Sequence, residues 1–290
     1  MKQNISWGAW NWRKMKCTSE IIHDRQKLEA NTKQMKCKAE ATLQTILGIA
    51  KDPNLKGIEM EAIWKLLETC VTPILTYGCE TWDPNKKEQH TINRIMDSTI
   101  KRVLLLPVTT PREALYIESG LLDMKHNMDK KRLGMEERLN KSKNELIKNI
   151  LKNTAKNSWQ NNTNKVHTEY GTNSEMQKTE RNRKMLEKFK EIIDREASGK
   201  SKIEHLKQGI KEWTPGERQV YLSKLNRNQA STIFKLRTRM MKVKRNYKNA
   251  YNNLTCRGCN ATEETQEHIL EECPGIHSSE ASKIHKNNTS

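Results

Sequence analysis

Three cysteines and a histidine near the end of the chain constrain its folding more than any other feature. Cys256, Cys259, His268 and Cys273 form the spacing C-x2-C-x8-H-x4-C, with Arg257 and Gly258 inside the first pair. A Cys-x2-Cys knuckle lets two thiolates take adjacent corners of a tetrahedron, and Gly258 permits the tight backbone between them. The later His and Cys complete four ligands, so the spacing predicts one structural zinc ion in a small module over residues 251–277. Four protein ligands leave no coordination position for water, and hydrolytic zinc is not expected. Glu263, Glu264, Glu267, Glu271 and Glu272 predict a short helix carrying His268, which Pro274 stops. His277 is a candidate to replace His268. The remaining four of seven cysteines, Cys17, Cys37, Cys70 and Cys79, lie scattered through the first third. An odd cysteine count without an export signal argues against a disulfide framework.

Elsewhere the apolar residues recur at helical spacing. Residues 20–47 are rich in Lys, Glu, Gln and Ala and read as one helix. Ile58, Ala62, Ile63, Leu66, Leu67, Cys70 and Val71 predict a second, which Pro73 kinks and Gly78 ends. Asp83 followed by Pro84 predicts the N-cap of a third, whose buried seam is Ile92, Ile95, Met96, Ile100 and Val103. Thr110-Pro111-Arg112-Glu113 and Thr214-Pro215-Gly216-Glu217 each have the pattern of a capping box. No segment alternates with period two, so the expected fold class is mostly α. Only 34% of the residues are apolar and two are Phe, too few for one large core. Two packed regions are therefore expected, residues 20–152 and 183–250. A flexible Asn/Lys-rich linker over 153–182 is expected between them, because that composition buries little surface against the entropy of ordering a chain. Residues 1–19 read as a Trp-rich start and 278–290 as a disordered tail.

The charge balance points to anionic partners. Lys and Arg exceed Asp and Glu by 53 to 35, leaving a formal +18. Residues 231–251 predict a helix with Ile233, Leu236, Met240, Val243 and Tyr247 on one apolar seam. Around it lie Lys235, Arg237, Arg239, Lys242, Lys244, Arg245 and Lys248, with no acidic residue from Ser231 to Ala250. Cations of one sign beside a small metal module suit the phosphates of RNA or DNA, with Tyr251 available to stack on a base. No stretch approaches the ~20 apolar residues of a membrane span, and the N-terminus lacks the apolar stretch of a secretory signal. A nuclear or cytoplasmic location is expected, without secretion.

The run Phe234-Lys-Leu-Arg-Thr-Arg-Met240, then Lys244-Arg-Asn-Tyr-Lys-Asn-Ala-Tyr251, then Cys256-x2-Cys259 and Glu264-Thr-Gln-Glu-His268-Ile-Leu-Glu-Glu-Cys273, resembles the C-terminal zinc-binding segment of non-LTR (LINE-type, jockey-like) retrotransposon polyproteins. Pro73-Ile-Leu-Thr-Tyr-Gly-Cys-Glu-Thr-Trp82 and Thr110-Pro-Arg-Glu-Ala-Leu-Tyr-Ile-Glu-Ser-Gly120 are similar to the helical region that follows the polymerase palm in the same elements, the thumb. The resemblance covers about residues 38–124 and 200–277. It implies a thumb-like helical bundle followed by a second helical region that ends in a zinc module. Reverse transcription needs magnesium held by palm carboxylates, usually including a paired Asp-Asp. The seven Asp residues here are isolated in sequence, and the chain runs 17 residues past Cys273, too few for a nuclease domain. The expectation is a fragment with no catalytic residues of its own that binds RNA or DNA. Two alternatives stand beside it: a reverse-transcriptase subunit completed by a separate palm polypeptide, and a domesticated zinc-binding adaptor for protein.

Overall fold

A computed structural model of the chain describes residues 25–50, 59–147, 149, 158–208 and 213–276. The expectations for residues 1–19, for 278–290 and for His277 lie outside them. Among the described residues the fold is mostly helical and contains no strand, with one isolated antiparallel bridge, Thr255 to Glu263. No described helix is long and apolar enough to cross a membrane.

α1 (Arg25–Ile49) buries Met35, Ala39, Leu43, Ile46 and Leu47, a face at three- and four-residue spacing. α2 (Met60–Leu66) runs through a widened π turn, Leu67–Val71, into α3 (Thr72–Leu75). Pro73 has no N–H to donate to the preceding turn, and the chain answers by widening: the Thr72 amide reaches back five residues to the Leu67 carbonyl. Gly78 follows in the left-handed region at φ +64°. α4 (Lys86–Val103) starts two residues later than Asp83 predicts. Asn85 is its cap, accepting from the Glu88 amide, while the Glu88 carboxylate accepts from the Asn85 amide at 2.8 Å. Ile92, Ile95, Met96, Ile100 and Val103 are all buried, as their spacing predicts.

α5 (Arg112–Ser119) lacks the expected capping box. The Thr110 hydroxyl donates instead to the Pro107 carbonyl, and the Glu113 carboxylate pairs with Lys200. Gly120 ends α5 at φ +65°, where a Cβ would stand 2.4 Å from the Glu217 backbone. Residues 214–219 therefore lie directly on the end of α5: the Gly216 amide donates to the Gly120 carbonyl and the Gln219 amide to the Glu118 carbonyl, both at 3.0 Å. The second predicted box forms that turn rather than a helix start, and α10 (Tyr221–Lys224) begins only afterwards. α6 (Met124–Asn140) is capped by the Asp123 carboxylate.

Two organisational expectations are corrected. Residues 158–182 do not act as a flexible linker, because α7 (Ser158–Tyr170) and the start of α8 (Lys178–Ala197) occupy them. Polar groups hold α7 in place: the Trp159 indole donates to the Glu80 carbonyl at 2.6 Å, His167 meets Glu136 at 2.6 Å, and the Tyr170 hydroxyl donates to Asp129 at 2.9 Å. Val166 and Tyr170 complete a small apolar cluster with Leu133 and Met185. Nor do the halves form two separate cores. Phe189, Ile193 and Ala197 of α8, Ile203 and Leu206 of α9 (Ser201–Gln208), Trp213, Leu222, and Ala230 and Phe234 of α11 (Arg227–Arg237) join one continuous core with α1 to α6. The Trp64 indole donates to the Leu222 carbonyl at 2.9 Å, tying α2 to α10 across that core.

Candidate metal centre

α11 delivers the chain to the metal module and stops earlier than the cation pattern predicts. Its last helical residue is Arg237, and Arg239 enters the left-handed region at φ +52°. The Arg239 amide donates to the Leu236 carbonyl at 3.2 Å and the Met240 amide to the Lys235 carbonyl at 2.7 Å, the paired closure of a Schellman motif. The continuous helix expected over 231–251 is therefore broken. Residues 244–250 form a separate 3₁₀ segment kinked at Tyr247, and Met240 and Val243 are buried while Tyr247 is partly exposed.

Beyond it, the Thr255–Glu263 bridge folds the chain back, with the Cys256 amide donating to the Thr262 carbonyl and the Glu264 amide to the Leu254 carbonyl, both at 2.7 Å. Asn260 takes a positive φ of 56° and its amide donates to the Cys256 carbonyl, which closes the knuckle turn. The π turn His268–Glu272 then carries His268 and delivers Cys273. These elements bring Cys256, Cys259, His268 and Cys273 together with their ligand atoms all within 4.8 Å of one another. Cys256 Sγ lies 3.5 Å from Cys273 Sγ, and Cys259 Sγ 3.2 Å from His268 Nε2. A tetrahedral ion with metal–sulfur bonds of 2.3 Å has edges of roughly 3.8 Å between thiolates and somewhat less from thiolate to imidazole. The set can close around one metal ion.

Its surroundings favour two of the three thiolates, those of Cys256 and Cys259. The backbone amides of Ala261 and then Thr262 pull the Cys259 thiol down to about 6. Burial is the largest single influence and works to raise the Cys256 thiol, but hydrogen bonds from the Cys259 and Gly258 amides, together with those of Cys273 and His268, turn the net direction down. Desolvation pushes the Cys273 thiol up. The Thr262 hydroxyl lies 3.1 Å from His268 Nδ1, positioned to fix the ring. Backbone also approaches very closely. A Cβ on Gly258 would stand 3.0 Å from Cys273 Sγ, and one on Gly275 only 2.1 Å from the Gly258 carbonyl oxygen.

Glu264 organises the junction between the module and the cation-rich segment. It is fully buried, and its carboxylate accepts from the Lys244 amide at 3.0 Å, the Arg257 amide at 3.0 Å and the Arg257 guanidinium at 2.5 Å. Those bonds, led by the guanidinium, hold its carboxyl at about 2. From the sequence the acidic run reads only as a short helix carrying His268. The signal that identifies it is opposite charge across the module: Arg239 pairs with Glu267 at 3.1 Å, Arg245 with Glu263 and Arg257 with Glu264.

The predicted phosphate-binding cations divide accordingly. Arg237 is committed to the fully buried Glu118 at 2.9 Å and lies over the Tyr221 ring. Lys235 is partly buried on α11, and desolvation lowers its pKa. Lys244 donates to the Thr255 carbonyl at 2.8 Å and sits over the Tyr251 ring, so Tyr251 is partly occupied. Lys242 and Lys248 are exposed. Compared with protein-family models, with curated proteins and with solved structures, the chain shows no significant match.

Proposed function

We propose that the chain is a non-catalytic piece of a non-LTR reverse-transcriptase type whose terminal module, closed around one structural zinc ion, presents cations to the backbone of single-stranded RNA or DNA. The observation that carries the reading is the closed Cys3His set built directly onto a cation-rich segment. Three thiolate donors and one imidazole at tetrahedral separations favour zinc over oxygen-loving cations. When bound, the ion crosslinks residues 256–273, and the chain's own residues do the rest. Glu264 hangs the Lys244 and Arg257 backbone amides on the knuckle, which fixes where residues 239–248 lie.

Four cations are placed to meet phosphate. Lys242 and Lys248 face solvent, and Arg239 and Arg245 sit in exposed ion pairs. Water and salt screen an exposed pair, so phosphate can replace its carboxylate. Arg237 is different, since withdrawing it would strand a buried Glu118 carboxylate. Four phosphate contacts on a single strand give a slope of log K against log salt of about −3. Replacing Arg239, Lys242, Arg245 and Lys248 with Gln in the zinc-loaded full chain should flatten most of it. An unchanged slope with zinc retained would assign these cations to holding the module on the helices and remove nucleic acid as their partner.

A further inference from the structure

One short stretch of the module supplies a carboxylate to each of three arginines. Glu263 meets Arg245, Glu264 meets Arg257, and Glu267 meets Arg239. Hydrogen bonds fix the stretch alongside the cation-rich segment. The Arg245 amide donates to the Glu264 carbonyl at 3.2 Å, the Lys244 amide to the Glu264 carboxylate at 3.0 Å, and Gln266 Nε2 to the Leu236 carbonyl at 2.9 Å. The three carboxylates then divide by burial. Glu264 is fully buried and holds the junction together. The side chains of Glu263 and Glu267 keep 34% and 44% of their surface, and those of Arg245 and Arg239 keep 48% and 42%, so both outer pairs can open without disturbing it. Arg245 Nη1 donates to both oxygens of Glu263, a contact that two oxygens of a phosphate can equally accept.

We propose that Glu263 and Glu267 are internal phosphate mimics, an autoinhibitory contact that holds Arg245 and Arg239 in reserve and lowers the affinity of the module for a strand. This rests on the proposed phosphate binding and adds its regulation. A carboxylate pinned beside its guanidinium competes at a high effective concentration, on the order of millimolar. A strand first held on the exposed Lys242 and Lys248 brings its neighbouring phosphates to a similar local concentration. Each guanidinium then trades one oxyanion for another, and the strand gains two contacts only by displacing two carboxylates.

The test uses the zinc-loaded full chain and a 12-nucleotide uridine oligomer at one low salt concentration. Glu263→Gln together with Glu267→Gln should raise affinity about fivefold, because two exposed pairs no longer have to be broken. The same two changes made on top of Arg239→Gln and Arg245→Gln should bring no gain, since the cations they release are gone. Glu271→Gln removes a charge from an exposed position of the same module and should leave affinity nearly unchanged. A gain that persists without the two arginines, or that Glu271→Gln matches, would reduce the effect to net charge and overturn the proposal while phosphate binding stands. A loss of affinity in the Glu263→Gln, Glu267→Gln chain with zinc retained would also overturn it, by showing that the pairs aim the arginines at the strand. If the oligomer binds none of these chains, the proposed phosphate binding falls as well.

Discussion

The described residues between Met35 and Phe234 share one apolar core, whereas residues 240–276 bury Met240 and Val243 beside four candidate metal ligands and the Glu264 carboxylate. In the helical body each buried Leu, Ile or Phe contributes roughly 1.5–3 kcal/mol, so order is spread over dozens of side chains. In the module the same task falls to a cluster of four candidate metal ligands and a set of ion pairs. The body should tolerate losing any one contact, and the module should not tolerate losing one ligand.

The largest expected effect follows from metal removal. Structural zinc in small modules is worth about 10–16 kcal/mol of folding free energy, far more than Met240 and Val243 supply by burial. Chelation should therefore abolish amide-exchange protection over residues 254–273 while protection in α4 and α8 persists. Loss of protection throughout would show that the two regions are one cooperative unit. Next in size is Phe189→Ala. The Phe189 ring meets His126 at 4.6 Å, Tyr116 at 5.8 Å and Trp213 at 6.4 Å between centroids, and it is fully buried. Truncation should cost the body about 3–5 kcal/mol in denaturant unfolding and leave zinc content unchanged.

Acid should separate the regions in a fixed order. Asp123 is buried, which works to raise its pKa, but the His126 ring and amide together with Arg112 bring it to about 2 from an ordinary 3.8. A depressed carboxyl stabilises the fold above its ordinary pKa and loses that contribution as pH falls toward the folded value. For Asp123 this amounts to about 2 kcal/mol, lost between about pH 4 and pH 2. Protons compete with metal for thiolate and imidazole at higher pH than that. Fluorescence of the core tryptophans should thus hold at a pH where zinc has already left the protein, and simultaneous loss would contradict the order.

The smallest expected effect concerns helix ends. Leu105 closes α4 in the left-handed region at φ +52°, with the Leu106 amide donating to the Lys101 carbonyl at 2.8 Å. A side chain there costs roughly 1–2 kcal/mol relative to glycine. Because Leu105 is substantially exposed, Leu105→Gly should raise the stability of the body by about 1 kcal/mol. A fall would mean that its side chain packs against something the fold needs.

Those helix ends also show what the sequence conveyed. The seam from Ile92 to Val103 and the clustering of the four candidate metal ligands were legible, because burial on a helix and tetrahedral ligation both impose fixed spacings. The ends of α4 and α11 were not, since Leu105 and Arg239 occupy positions where glycine is the usual signal. α7 was missed because its anchors are polar. Trp159, His167 and Tyr170 find their partners on Glu80, Glu136 and Asp129, at sequence separations that composition cannot reveal. The basic run read as one helix because its three- and four-residue spacing continues past Arg237, where the backbone does not. Its apparent single sign hid the carboxylates of Glu118, Glu263 and Glu267, which arrive from other elements.

The central claim, that Cys256, Cys259, His268 and Cys273 close around one structural zinc ion, is tested most directly by metal content. Elemental analysis and native mass spectrometry of the purified full chain should give one zinc per polypeptide. Cys259→Ser should reduce that content sharply, with amide protection lost over residues 254–273 and kept in the helical body. A purified chain with no near-stoichiometric zinc, or a Cys259→Ser variant that keeps both its zinc and its module protection, would contradict the account.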